Sequence, residues 1–157
     1  MRLLFRLWQW LPIPYTLRWR IIWLIVPKFL VGAAAIILDD RGRILLFHHT
    51  YRKKYPWGPP GGFLNHNEDA VQTIVREMQE EAGFTIQVER LLWIGTSRHY
   101  PRVDIYYLCT HLHGDFTPSE EVSEARFFEL EAATQIMEPE LSDMLKRALA
   151  ELNTSPM

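Results

Sequence analysis

One cysteine, Cys109, stands in 157 residues, which excludes an internal disulfide framework and any zinc site built from several thiolates. The default address is the cytoplasm, a reducing compartment. Long apolar runs are missing as well. Pro12, Pro14, Arg18, Arg20, Pro27 and Lys28 break every opening window that approaches the length of a membrane-spanning helix, about 20 residues. The Gly-Ala-Ala-Ala at 32–35 reads as part of a strand, not as a signal cleavage site. Nor does one charge dominate: Lys plus Arg number 17 against 19 Asp plus Glu, so no nucleic-acid partner is expected. Internal repeats, low-complexity tracts and interdomain linkers are also lacking, and 48% hydrophobic residues over this length suit one domain with a sizeable core.

What is present is unevenly spread. Residues 1–28 hold Arg2, Arg6, Arg18, Arg20 and Lys28 without a single acid, a charge of +5; residues 29–157 keep 12 bases against 19 acids, a charge of −7. Four of the six tryptophans, Trp8, Trp10, Trp19 and Trp23, fall in the same basic stretch. Two short amphipathic helices fit it. Arg2, Arg6 and Gln9 mark one polar face; after Thr16 as a cap, Trp19, Ile22, Trp23 and Val26 repeat at i, i+3, i+4, i+7. Such an arm must cover its apolar face. Packing on the domain or on a second copy, giving a homodimer, is the preferred reading, and peripheral contact with an anionic membrane is the alternative.

From Phe29 the pattern is conventional. An apolar run at 30–38, a turn at 39–42 and a second run at 44–47 predict a β-hairpin. A loop rich in Gly and Pro follows to 67, then a helix over 68–82 capped by Asn67 and stopped by Gly83. Strands are expected at 85–96, 103–112 and 125–129. Pro139 opens a last helix with Leu141, Met144, Leu145, Ala148 and Leu152 on one stripe. Strands and helices alternate irregularly, so the expected class is α/β (α+β), with a sheet covered by helices.

The helix at 68–82 carries the chemistry. At about 100° per residue, Val71, Ile74, Val75, Met78 and Ala82 share the side expected to face the core. Glu77, Glu80 and Glu81 share another side, where like charges repel by a few tenths of a kcal/mol per pair. Hard oxygen donors crowded this way suit Mg²⁺ or Mn²⁺, although three glutamates alone would read as a solvated face.

Their surroundings decide the matter. Gly62-Phe63-Leu64-Asn65-His66-Asn67-Glu68, followed seven residues later by Arg76-Glu77-Met78-Gln79-Glu80-Glu81-Ala82-Gly83-Phe84, resembles the signature of the Nudix hydrolase family at every fixed position. Seven fixed identities at roughly 6% background each make a chance match about one in 10⁸ windows. The flanking Trp57-Gly58-Pro59-Pro60-Gly61-Gly62 resembles the family's approach to its box, with Pro59 where leucine is commoner. The resemblance covers about 29–152 and leaves residues 1–28 as a separate arm before a domain at 29–157.

The resemblance implies a Nudix fold, a mixed β-sheet sandwiched between α-helices. It also implies metal-dependent hydrolysis of a phosphoanhydride in a small nucleoside diphosphate derivative: ADP-ribose, a dinucleoside polyphosphate, a nucleotide sugar or a triphosphate. The implied cofactor is Mg²⁺, with Mn²⁺ as substitute. Carried onto matching positions, Glu80, Glu81 and the Gly61 carbonyl ligate metal, Glu77 ligates or activates water, and Arg76 orients Glu77. Gly62, Glu68 and Gly83 shape the box. A further carboxylate from a later loop is expected, and Glu121 is chosen over Glu120 and Glu124. Arg52, Lys54, Trp57 and Tyr100 are candidate substrate contacts; Tyr100 stands beside Pro101, so the family's spacing markers for dinucleoside polyphosphates and ADP-ribose fit the tyrosine slightly better without deciding between the two. The alternative function is a non-catalytic Nudix-like sensor that binds nucleotide without cleaving it, although such modules lose box carboxylates and this chain keeps them all.

Overall fold

The computed structural model describes residues 14–152. The elements run α1 (Tyr15–Ile25), β1 (Leu30–Ile36), β2 (Ile44–His49), β3 (Trp57–Gly58), β4 (Gly61–Phe63), α2 (Ala70–Ala82), β5 (Thr85–Thr96), β6 (Arg102–His113), β7 (Val122–Phe128), α3 (Leu130–Ile136) and α4 (Pro139–Ala150). The expected arm helix around Arg2, Arg6 and Gln9 lies outside the described residues.

Two sheets form, a four-stranded one in the order β4-β1-β6-β5 and a three-stranded one in the order β3-β2-β7. The first is mixed, because β1 runs parallel to β6 while its other pairs are antiparallel. The expected hairpin of β1 and β2 forms only next to its turn, through the bridge Leu38↔Ile44 and the bonds from Asp39 N–H to the Arg43 carbonyl and from Leu45 N–H to the Ile37 carbonyl, before the strands diverge into different sheets. Past Leu30, β1 and β2 are buried or half-buried on both faces. Ala33 and Ala35 of β1, with Leu45 and Phe47 of β2, pack on Ile74, Met78 and Ala82 of α2. Ile36, Ile44 and Leu46 pack on the other side against Ala133 of α3, Met137, and Met144, Leu145 and Ala148 of α4. The sheets therefore lie between α2 and the α3–α4 pair.

Helix α2 starts later than its sequence suggests. Asn67 adopts φ 65, so it cannot cap, and Asp69 does so instead. The Asp69 carboxylate accepts the Gln72 N–H at 2.8 Å while the Gln72 side-chain oxygen accepts the Asp69 N–H at 2.9 Å, a reciprocal capping box. At the other end Gly83 ends the helix in the left-handed conformation, φ 72. The buried side of α2 is also rotated from expectation: Glu81 is only 5% exposed, whereas Val71 and Val75 face solvent. Helix α3 occupies a stretch with no predicted element, and β7 begins three residues before the expected 125.

Helix α1 also departs from expectation. Pro14 is its N-cap residue, Thr16 lies inside the first turn, and Val26 caps the C-terminus rather than extending a stripe. Among the described residues no helix is long and apolar enough to cross a membrane.

Candidate active site

Strand β4 and the turns after it hold one wall of a cleft, and α2 holds the other. Gly61 has φ 143 and lies so close to β1 that any side chain would strike the Ala33 carbonyl. A side chain on Gly62 would strike the Glu77 carboxylate. The two glycines thus let backbone and carboxylate close on each other.

Arg76 organises the acids. Its Nε and Nη2 donate to the Glu68 carboxylate at 2.8 and 3.0 Å, Nη1 donates to Glu77 at 2.8 Å and to Glu80 at 3.0 Å, and Nη2 reaches the Phe63 carbonyl at 3.3 Å. Glu68 also accepts the Asn65 N–H at 3.0 Å and the Thr73 hydroxyl at 2.9 Å. The Arg76 bond, first among these donors, holds the Glu68 carboxyl down at about 2. The same contacts raise Arg76 further above its ordinary value.

Glu77 and Glu81 experience the opposite pull. Burial pushes Glu77 up against the restraining bond from Arg76. Burial, then the Glu77 charge, pushes Glu81 up to about 8, only partly offset by the Gly61 N–H donated to it. Its Oε2 is buried without a hydrogen-bond partner. The nearby His49 Nδ1 lies 4.0 Å from Glu81 Oε1, but burial lowers that imidazole to about 3, so it brings no positive charge. Among the described residues no three His, Cys, Asp or Glu side chains form a ready-made metal cage.

The cleft has a volume of about 530 Å³ and is lined by Gly61, Gly62, Arg76, Glu77, Glu80, Glu81, Glu121 and Arg52 among others. Of the three loop acids only Glu121 lines it; Glu124 is bound to Arg126. Lys54, Trp57 and Tyr100 do not line it. Lys54 Nζ lies 5.1 Å from the Tyr55 ring centroid, and Tyr100 is 62% exposed in the turn before β6. Trp57 packs edge-on against Phe128 at 4.8 Å between ring centroids, as part of the core under α4. Cys109 is buried, its thiol pushed up to about 12, which suits packing rather than attack.

Sequence reasoning missed Arg102 and Asp104, which line the same cleft. Arg102 Nε donates to Asp104 Oδ2 at 2.8 Å, and burial raises the Asp104 carboxyl despite that partner. Their i, i+2 spacing on a strand places them on one face, which is the signal that could have found them.

The family model for the NUDIX domain matches residues 28–149, and the chain belongs to that family. Two curated relatives share shorter stretches. The chain is 33% identical over 84 residues to nucleoside diphosphate-linked moiety X motif 6 of Xenopus laevis, half of this chain and 39% of that protein. It is 30% identical over 104 residues to an ADP-ribose pyrophosphatase of Methanocaldococcus jannaschii, 64% of this chain and 62% of that one. The chain thus spans less than two thirds of either relative. Among solved structures, a UDP-X diphosphatase superposes with TM-score 0.72 at 19% identity, covering 93% of this chain and 74% of its own. A NUDIX hydrolase of Nitrosomonas europaea gives 0.70 at 26% identity, covering 83% and 75%.

Proposed function

We propose that this chain is a Mg²⁺-dependent Nudix pyrophosphohydrolase that cleaves a phosphoanhydride bond in a small nucleoside diphosphate derivative. The observation that carries the reading is the buried, unpartnered Oε2 of Glu81 beside Glu77, in a cleft that also receives Glu80 and Glu121. A buried acceptor without a donor is costly, by about 1–3 kcal/mol, and a cation is the natural partner among so many acids. Glu80 is free to join: its side chain is 62% exposed, and an exposed pair such as that with Arg76 is worth about 0–1 kcal/mol. The donor set is all hard oxygen, which fits Mg²⁺, with Mn²⁺ as substitute.

In this reading Glu80, Glu81 and the Gly61 carbonyl hold the ion. When bound, it neutralises charge between an acidic cleft and a polyanionic substrate and polarises a phosphoryl oxygen. Glu77, fixed by Arg76, takes a proton from water; the water oxygen bonds to phosphorus, the bridging P–O bond breaks, and the leaving phosphate departs with the electron pair. Glu121 is the further carboxylate within reach, as ligand or base. Arg52, on the cleft wall, contacts substrate phosphate. The relatives named for ADP-ribose and UDP-X support a nucleoside diphosphate linked to a second group.

The test is a hydrolysis panel with Mg²⁺ covering ADP-ribose, dinucleoside polyphosphates, nucleotide sugars and triphosphates. Turnover of at least one, abolished by Glu77→Gln, supports the enzyme. Binding of any of them without turnover assigns the chain to the sensor class instead.

A further inference from the structure

Helix α1 turns most of its side chains to solvent. Arg18, Ile21 and Ile22 are half-buried, and no residue of the helix is buried. On the open side Tyr15 is 73% exposed, Trp23 66% and Leu24 70%, and Trp19, Arg20, Trp23 and Leu24 border a shallow cavity of about 490 Å³. Exposed apolar side chains continue along the chain at the end of the helix and after it: Ile25, Val26, Phe29 and Leu30. Lys28 Nζ lies 4.4 Å from the Trp23 ring centroid. Exposed apolar side chains clustered along one short segment mark an interaction surface.

The chemistry of the patch discriminates between covers. Indole and phenol rings mixed with Arg and Lys among aliphatic side chains match the boundary between lipid headgroups and acyl chains. Arg20 sits in the middle of the exposed arc. A protein partner would have to bury and pair it, whereas a lipid phosphate accepts it at the water boundary. Charge agrees: residues 1–28 carry +5 without an acid and residues 29–157 carry −7, so an anionic surface attracts the arm and repels the domain. Eleven helical residues reach about 16 Å, half the hydrocarbon thickness, so the helix lies on a bilayer and does not cross it.

We propose that α1 and the segment up to Leu30 dock this protein onto an anionic lipid surface, with Trp19 and Trp23 among the headgroups and Arg20 and Lys28 on lipid phosphates. The test sediments the full chain with vesicles of phosphatidylglycerol and phosphatidylcholine, and with phosphatidylcholine alone, beside light scattering on the same samples. The wild type pellets with the mixed vesicles and several-fold less with phosphatidylcholine or at raised salt. The double variant Trp19→Ser, Trp23→Ser loses most pelleting while its thermal melt is unchanged. If that variant melts early, Arg20→Glu, an exposed charge reversal, replaces it with the same expected loss. Absence of wild-type pelleting, or equal pelleting by the variants, overturns the proposal. A dimer that the Trp substitutions dissociate, without vesicle binding, overturns it in favour of a second copy as the cover.

Discussion

The two ends of α2 hold the same chemical group under opposite conditions. Where the helix begins, Glu68 accepts from Asn65, Thr73 and twice from Arg76, and its carboxyl is held at about 2. Where it ends, Glu81 faces Glu77 and Glu121, keeps one oxygen without a partner and is pushed to about 8. An acid that is fully satisfied stabilises a fold; one that is buried and crowded weakens it and waits for a ligand. Arg76 spans the two conditions, since one guanidinium braces Glu68 and aims Glu77.

The largest effect falls at Glu77. Glu77→Gln should lower kcat by about 10²–10⁴-fold while the thermal melt stays close to wild type, as steady-state assays and calorimetry will show. Arg76→Ala comes next, because it strips donors from both ends. Denaturant unfolding should lose about 2 kcal/mol, discounted from a fully buried pair because the guanidinium is 25% exposed, and turnover should fall with it.

Glu81→Gln sharpens the contrast through pH. The wild-type carboxyl ionises near 4.5 when unfolded and near 8 when folded, so its contribution to stability is full below about 4.5 and lost as pH rises through about 8. Without metal, melts of wild type should therefore fall over that window relative to Glu81→Gln, which removes the penalty and the activity together. Glu68 gives the smallest effect and the reverse sign. Its folded value near 2 against 4.5 means stability present above 4.5 and lost as pH falls toward 2. Glu68→Gln should flatten that acid limb of the melting profile.

The signature was legible because it is dense in fixed residue types, and the layers were legible because β2 and α4 carry strong apolar patterns. The missed features have physical causes. Leu30 to Leu38 and Ile44 to Phe47 look like partners because both are apolar on two faces, yet that same double burial suits strands of separate sheets. The cap moved from Asn67 to Asp69 because a reciprocal bond with Gln72 outweighs a lone side chain. Seven-residue α3 is too short to show a period. Trp57 reads as a stacking platform in sequence, but its ring is claimed by Phe128 and His48. Arg102 and Asp104 were hidden in a strand whose alternation looks ordinary until the fold brings it to the cleft beside Gly61, Gly62 and Glu77.

On the proposed function, Glu81 is held ready for a cation. Thermal melting of wild type and Glu81→Gln across a Mg²⁺ titration at pH near 8 tests it most directly, since a ligand that binds only the folded state raises Tm. A Tm that climbs with Mg²⁺ in the wild type and stays flat in Glu81→Gln is the predicted result. Identical curves for the two proteins, whether both rise or both stay flat, would contradict it.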